Sequence, residues 1–264
     1  MATLDRDGVT LWYEDEGTGG PPLLLSHGWM GNSRFMAPVA DHFKATRRVV
    51  NLDRRGHGRS DKPEQDYTMA GFADDFAWLA GQIGLEPAVV VQHSTDQIAL
   101  DLAMRYPDLV AGVVLIDSAG FAPAPLADNF RQLLDGVRSP AYREVLTRLS
   151  GQIVFSPYDD PAGTAEILAE MLATPQHVIV STWAEALAYD FAPAASACRV
   201  PVLRIGAVFP WDAERFRSHI PQLLTAEVVG TGHFPQIEVP GQVNAMIERF
   251  VDVVVAPRAT AAVG

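Results

Sequence analysis

The chain has 264 residues, of which 48% are hydrophobic and 20% charged, enough apolar mass for one α/β domain with an insertion and the wrong balance for a disordered chain. Its net charge of −12 and pI of about 4.9 exclude partners that need a basic face, namely nucleic acid and anionic membrane. The single cysteine, Cys198, excludes an internal disulfide, and no apolar run approaches the roughly 18 residues that cross a bilayer. The first residues carry Asp5, Arg6 and Asp7 where a secretory leader has a basic stretch and an apolar run, so a cytoplasmic protein is expected.

Residues 9–14 alternate as a strand does, and Gly17-Thr18-Gly19-Gly20-Pro21-Pro22 is a turn cluster with no phosphate-binding lysine after it. Residues 22–26 form a short apolar strand ending in His27-Gly28-Trp29, and residues 34–43 read as a helix. A buried strand over 48–52 leads into Asp53-Arg54-Arg55-Gly56-His57-Gly58-Arg59-Ser60. The spacing of Phe72, Phe76, Leu79 and Ile83 predicts a helix over 72–83. A strand over 88–92, a helix from Thr95 and a strand over 112–116 follow, with Asp117 at the last strand's carboxyl end. This alternation with short turns predicts a parallel sheet covered on both faces.

From Gly120 to Ala197 the pattern changes. Prolines at 123, 125, 140, 157, 161, 175 and 193 separate amphipathic stretches without a comparable strand, which reads as a helical insertion. The sheet resumes over 200–207, a last strand is expected over 227–229, and a terminal helix over 239–255 precedes a frayed tail, 256–264. The expected division is a core of residues 1–119 and 198–264 with a helical cap of residues 120–197. No internal repeat is present.

The most informative segment is Val89-Val90-Val91-Gln92-His93-Ser94-Thr95-Asp96-Gln97-Ile98-Ala99. A serine at a strand-to-helix junction projects its hydroxyl from a sharp turn, which is the mechanical point of a nucleophile elbow. The bland alternative is a helix N-cap, a role serine often fills. Both glycines that usually flank such a serine are replaced, by Gln92 and Asp96, and Asp96 would place a charge near the site.

Ligands of an open parallel sheet bind at the carboxyl ends of its strands. His27-Gly28-Trp29, Ser94, Asp117 and Gly230-Thr231-Gly232-His233-Phe234 all fall there, in the order serine, acid, histidine. With Ser26-His27-Gly28-Trp29, the Asp53–Ser60 segment, the His93-Ser94 elbow and Gly232-His233-Phe234, the chain resembles the α/β-hydrolase superfamily over about 250 residues. The resemblance implies a mostly parallel eight-stranded sheet flanked by helices, with a helical cap insertion. It implies Ser94 as nucleophile, His233 as base, and an oxyanion hole from the backbone N–H groups of Trp29 and Thr95. The family places the acid after the seventh strand or after the sixth. The segment Gly206–Trp211 carries no carboxylate before Asp212, so Asp117 is preferred, and Asp212 serves as a helix cap.

Trp29, Phe35, Phe121, Phe155, Trp183 and Phe234 are candidates to line an apolar substrate pocket, and His93 either joins them or points into the scaffold. His27 and His57 read as loop-shaping residues. His42, His177 and His219 show no metal-ligand spacing, so neither metal nor cofactor is expected. The expected partner is an apolar small molecule, and a homodimer stays open. Three functions compete: a serine hydrolase of an ester, lactone or related acyl bond; a cofactor-independent dioxygenase, similar to those that cleave 3-hydroxy-4-quinolones by His/Asp base catalysis; and a non-catalytic receptor of the same fold.

Overall fold

Runs of β-branched residues and leucine become the strands β1 (Ala2–Arg6), β2 (Val9–Glu16), β3 (Leu23–Ser26), β4 (Val49–Asp53), β5 (Ala88–His93), β6 (Val110–Ile116), β7 (Val202–Gly206) and β8 (Leu223–Glu227). They form one eight-stranded sheet in the order β1-β2-β4-β3-β5-β6-β7-β8, antiparallel at β1–β2 and β2–β4 and parallel elsewhere. This computed structural model describes residues 1–257, and of Asp96 only the backbone. The expected frayed tail therefore falls, from residue 258 on, outside the described residues.

β3, β4 and β5 are buried along their whole length because helices cover both faces. Alternate side chains serve opposite layers, as the strand period of two requires. Leu24, Val50, Val90, Val113 and Leu115 pack with α2 (Met69–Gln82) and α3 (Asp96–Arg105). Leu23, Leu25, Val89, Val91 and Ile116 pack with α1 (Ala37–Phe43) and with residues of the last long helix, Pro240–Phe250. α2 starts where the Thr68 hydroxyl accepts the Gly71 N–H at 2.9 Å.

Elsewhere the chain departs from the expected bounds. The 34–43 segment is split, a 3₁₀ turn over Ser33–Met36 preceding α1, because Pro38 can stand only in a helix's first turn. β8 ends at Glu227 rather than starting there. Its register runs from Val202↔Leu223 to Gly206↔Glu227, and Val229 is 73% exposed beyond it. β1 lies outside the expected elements.

Between β6 and β7 the described residues form α4 (Ala124–Arg138), α5 (Tyr142–Leu149), a π-helical turn (Ser150–Val154), α6 (Pro161–Leu172), α7 (Gln176–Ala188) and α8 (Phe191–Ala197). α4 to α7 build their own apolar cluster from Leu133, Val137, Leu146, Ile167, Met171 and Ile179. That cluster also takes in Met30, Phe35 and Phe234 from the loops at the sheet's carboxyl end, so the helical layer sits over that end. Phe191, Ala194 and Ala195 of α8 belong instead to the core against α3.

Buried carboxylates hold the loop after β4: Asp53 accepts the Arg59 N–H at 2.8 Å, and Asp75 ties down Arg55. Asp75 on α2, 1% exposed, accepts from Arg55 Nε at 2.5 Å and NH2 at 2.6 Å and from Arg6 NH1 at 2.7 Å. The carboxylate raises the Arg55 pKa above its usual value. Removing one partner of a buried ion pair strands the other, at about 3–5 kcal/mol. Asp75→Ala is expected to lower the unfolding free energy by about that amount. A loss below about 1 kcal/mol in urea titration would show that solvent compensates the two arginines.

Candidate active site

The chain passes from β3 to β4 on one side of the sheet and returns to β5 on the other side of β3. The loops after β3 and β5 therefore leave the sheet side by side, in the crevice where such sheets bind ligands. At the tip of β5, Ser94 has φ +65, a left-handed value that only a sharp turn imposes on a residue with a Cβ. Gly28 packs directly against this turn. A Cβ on Gly28 would meet His93 Nδ1 at 2.6 Å and Ser94 Cβ at 3.0 Å.

Asp117 follows β6, also at positive φ (+44), and is fully buried. His233 Nδ1 hydrogen-bonds its Oδ2 at 2.7 Å. Its Oδ1 accepts from the N–H groups of Ala207, Val208 and Phe209 at 2.9, 3.0 and 3.2 Å. Burial pushes the Asp117 carboxyl up, but the His233 hydrogen bond and charge and the backbone donors outweigh it, and the group lies below its usual pKa. An ionised Asp117 fixes a proton on His233 Nδ1 and leaves Nε2 without one. Asp212 is elsewhere engaged: its Oδ1 caps the helix Ala213–His219 through the Arg215 N–H at 2.9 Å.

Gln92, where the elbow's first glycine is expected, fits by reaching under the turn. Its Nε2 lies 2.8 Å from His93 O, 3.1 Å from His27 O and Thr95 Oγ1, and 3.4 Å from Ser26 O. The parallel register Ser26↔Gln92 puts the amide beside those carbonyls. Asp96's side chain lies outside the described atoms. The Thr95 N–H, expected to face the substrate, donates instead to His93 O at 2.8 Å, closing a three-residue turn across Ser94.

Beneath the β3 loop lies a fully buried guanidinium, unforeseen in sequence. Arg54 NH2 donates to Gly28 O at 2.6 Å and NH1 to Thr95 Oγ1 at 3.4 Å. Burial lowers its pKa to about 9, so it stays charged near neutrality. His27 Nε2 accepts the Arg54 N–H at 3.2 Å, which assigns the ring proton to Nδ1, 2.9 Å from Gly28 O.

Ser94, His233, Trp29, Thr95, His93 and Phe234 all line one cavity of about 200 Å³. Trp183 lines it too, stacked on Trp29 with centroids 4.2 Å apart. Phe121 and Phe155 do not. Phe121 is packed among Phe191, Phe216 and His219 in the sheet's core, and Phe155 stands behind Phe234, centroids 6.1 Å apart. Phe35 is likewise edge-on behind Phe234. Their places in the wall are taken by Phe130 on α4 and by Phe209, whose ring lies 4.4 Å from that of His233. His93 also serves the scaffold, hydrogen-bonding His233 O through Nε2 at 2.8 Å. Among the described residues no His/Cys/Asp/Glu group could hold a metal ion, and no helix is long and apolar enough to cross a membrane.

The site's loops are tied to the helical layer. Trp29 Nε1 donates to Ile179 O at 3.2 Å, Asn32 Nδ2 to Glu170 Oε2 at 2.8 Å, and Thr174 Oγ1 to Met30 O at 3.3 Å. The His233 N–H donates to Val154 O at 2.7 Å, and the Gly232 N–H to Asp159 at 2.8 Å.

A sequence model described as the alpha/beta hydrolase fold matches residues 21–240, and the chain belongs to that family. It is 36% identical over 115 residues to 2-(acetamidomethylene)succinate hydrolase of Mesorhizobium japonicum, covering 43% of this chain and 41% of that one. It is 34% identical over 163 residues to a bifunctional esterase/perhydrolase of Acinetobacter calcoaceticus, covering 60% and 57%. The chain thus spans about half the length of these relatives. In structure it superposes on the enol-lactonase of Burkholderia xenovorans with a TM-score of 0.84 at 20% identity, covering 95% of this chain and all of that one. An esterase of Thermogutta terrifontis gives 0.82 at 24%, covering 96% and 97%.

Three histidines around the site are held neutral. Burial lowers His57 and His93 to about 3, with the charge of Arg54 adding for His57 and that of His233 for His93, and takes His27 well below the ordinary value. Each binds a proton in the unfolded chain below about pH 6.5 but not in the native one, so stability is present at neutral pH and falls as the pH drops. At full effect each contributes a slope of about 1.4 kcal/mol per pH unit. Urea unfolding is expected to show a much lower midpoint at about pH 5 than at 7.5; equal midpoints would mean that these rings are charged in the native state.

Proposed function

We propose that this chain is a serine hydrolase acting on an ester, lactone or related acyl bond in a small apolar molecule, with α4 to α7 as its cap. The observation that carries the proposal is the Asp117–His233 hydrogen bond of 2.7 Å, with its outer carboxylate oxygen locked by three N–H groups, beside a serine at φ +65 in the same cavity. Such a pair activates a hydroxyl that is otherwise too weak a nucleophile at neutral pH. The apolar wall of Trp29, Trp183, Phe130 and Phe209 fits an acyl or alcohol moiety without charge. The relatives' names, an esterase and a succinate-derivative hydrolase, point the same way.

In this scheme Ser94 Oγ attacks the carbonyl carbon while its proton passes to His233 Nε2. The oxyanion collapses, the carbon–oxygen bond to the leaving group breaks, and His233 returns the proton to the departing alkoxide. Water, deprotonated by the same nitrogen, then attacks the acyl carbon, the bond to Ser94 Oγ breaks, and His233 returns the proton to that oxygen as the acid leaves. Asp117 stays ionised throughout and stabilises the imidazolium.

A fluorophosphonate probe is expected to give one adduct per chain, on Ser94, by intact mass. His233→Ala should lower turnover of a p-nitrophenyl ester by about 10²–10⁴-fold, and Ser94→Ala should abolish it. The Asp117–His233 pair would also deprotonate a substrate without the serine, as a cofactor-independent dioxygenase does. Oxygen uptake with a 3-hydroxy-4-quinolone that survives in Ser94→Ala would replace the hydrolase.

A further inference from the structure

The elbow leaves a substrate oxyanion one backbone donor short, because the Thr95 N–H is spent on His93 O. The Thr95 side chain is arranged to make good the loss. Its Oγ1 receives two donors, Gln92 Nε2 at 3.1 Å and Arg54 NH1 at 3.4 Å. A hydroxyl has two lone pairs and one proton, and neither a guanidinium nor an amide nitrogen accepts that proton. The orientation of the Gln92 amide is fixed by its surroundings. Swapping its ends would set a carbonyl oxygen against the carbonyls of Ser26, His27 and His93. With these two donors set against the oxygen, the Thr95 proton has to point away from both of them. Among the described residues no hydrogen bond takes it up, and Thr95 lines the cavity next to Ser94.

Arg54 acts on the other donor in the same way. Its NH2 holds Gly28 O at 2.6 Å. In a trans peptide the N–H points opposite to the C=O, so the Trp29 N–H is turned away from the guanidinium. A charged donor on the carbonyl also polarises the peptide and strengthens that N–H.

We infer that the Thr95 hydroxyl is the second oxyanion donor of this enzyme, in place of its own backbone N–H, with Arg54 and Gln92 as positioning residues that aim it. The inference rests on the acyl-transfer chemistry proposed above. As Ser94 Oγ bonds to the carbonyl carbon, the electron pair of the C=O moves onto oxygen, which receives the Thr95 O–H and Trp29 N–H hydrogen bonds. Thr95 keeps its proton throughout, and the proton that moves is the one from Ser94 to His233. Gln92 and Thr95 thereby form one device, in which the bulky residue that displaces the elbow glycine fills a lone pair of the hydroxyl that replaces the elbow's N–H.

The test compares Thr95→Val, Thr95→Ala and Thr95→Ser with the parent in p-nitrophenyl butyrate hydrolysis and in the rate of fluorophosphonate labelling. Loss of one oxyanion donor costs about 10²–10³-fold in kcat. Thr95→Val is expected to lose about 100-fold in kcat with KM within about threefold, and to label more slowly by a similar factor. Thr95→Ala, which places no methyl against the Gln92 and Arg54 donors, should fall in the same direction if Thr95→Val fails to fold. Thr95→Ser should recover most of the loss. Labelling of the parent at Ser94 with Thr95→Val equally fast, or Thr95→Ser as impaired as Thr95→Val, overturns the Thr95 assignment alone. A parent that takes no label overturns the acyl-transfer chemistry and this inference with it.

Discussion

Parallel pairing of β3 with β5 is the constraint on which the rest of the site depends. The two strands are separated in sequence by α1, β4 and α2, and their register, Leu23↔Val89 to Ser26↔Gln92, is set by side chains buried on both faces. A slip of one residue would exchange every inward side chain for an outward one. With that register fixed, the β3 loop and the elbow emerge together, and Gln92 finds three β3-end and elbow carbonyls within reach of one amide. β6 and β7 extend the same parallel ladder, which carries Asp117 and the Ala207–Phe209 amides to the same end.

The electrostatics of this end run against the rest of the molecule. A chain of net charge −12 buries an arginine that no carboxylate among the described residues pairs. Burial of an unpaired charge is costly, and it is tolerated here because carbonyl, hydroxyl and aromatic groups surround it, with the Phe72 ring 4.9 Å away. His27 and His57 beside it are held neutral first by burial, and the Arg54 charge adds to that effect. The result is a positive potential beneath the turn where negative charge would develop, paired across the cavity with the anionic Asp117 behind His233.

Much of this was legible in sequence where a local pattern carried it. The strand–helix alternation, Asp117 at a strand end and Asp212 as a cap all follow from short-range signals. β1 escaped the sequence reading; it pairs with β2 through a two-residue hairpin at Asp7-Gly8, whose φ values are 55 and 78. What sequence could not supply was packing direction. Phe121 and Phe209 are both aromatic residues in loops after strands, yet one turns into the core against Phe216 and the other onto His233. Arg54 sits in a charged segment, and only the fold reveals that it points inward while Arg55 meets Asp75. Gln92 looked like damage to a tight turn because its role depends on carbonyls from a strand sixty-odd residues away.

The ties between the helical layer and the loops have a consequence for selectivity. Ile179, Glu170 and Thr174 hold the segment Trp29–Asn32, while Val154 and Asp159 hold the backbone of His233 and Gly232. The wall that measures a ligand's size is thus bolted to the groups that would polarise and deprotonate it. A molecule large enough to push α6 and α7 outward would drag the Trp29 peptide and the imidazole out of alignment as it entered. Under the hydrolase function proposed above, the chain would sort its ligands by how fast they react once held, not by how tightly they are held, because displacement is felt in the transition state more than in the encounter. Oversized ligands would then act as slow, well-bound competitors.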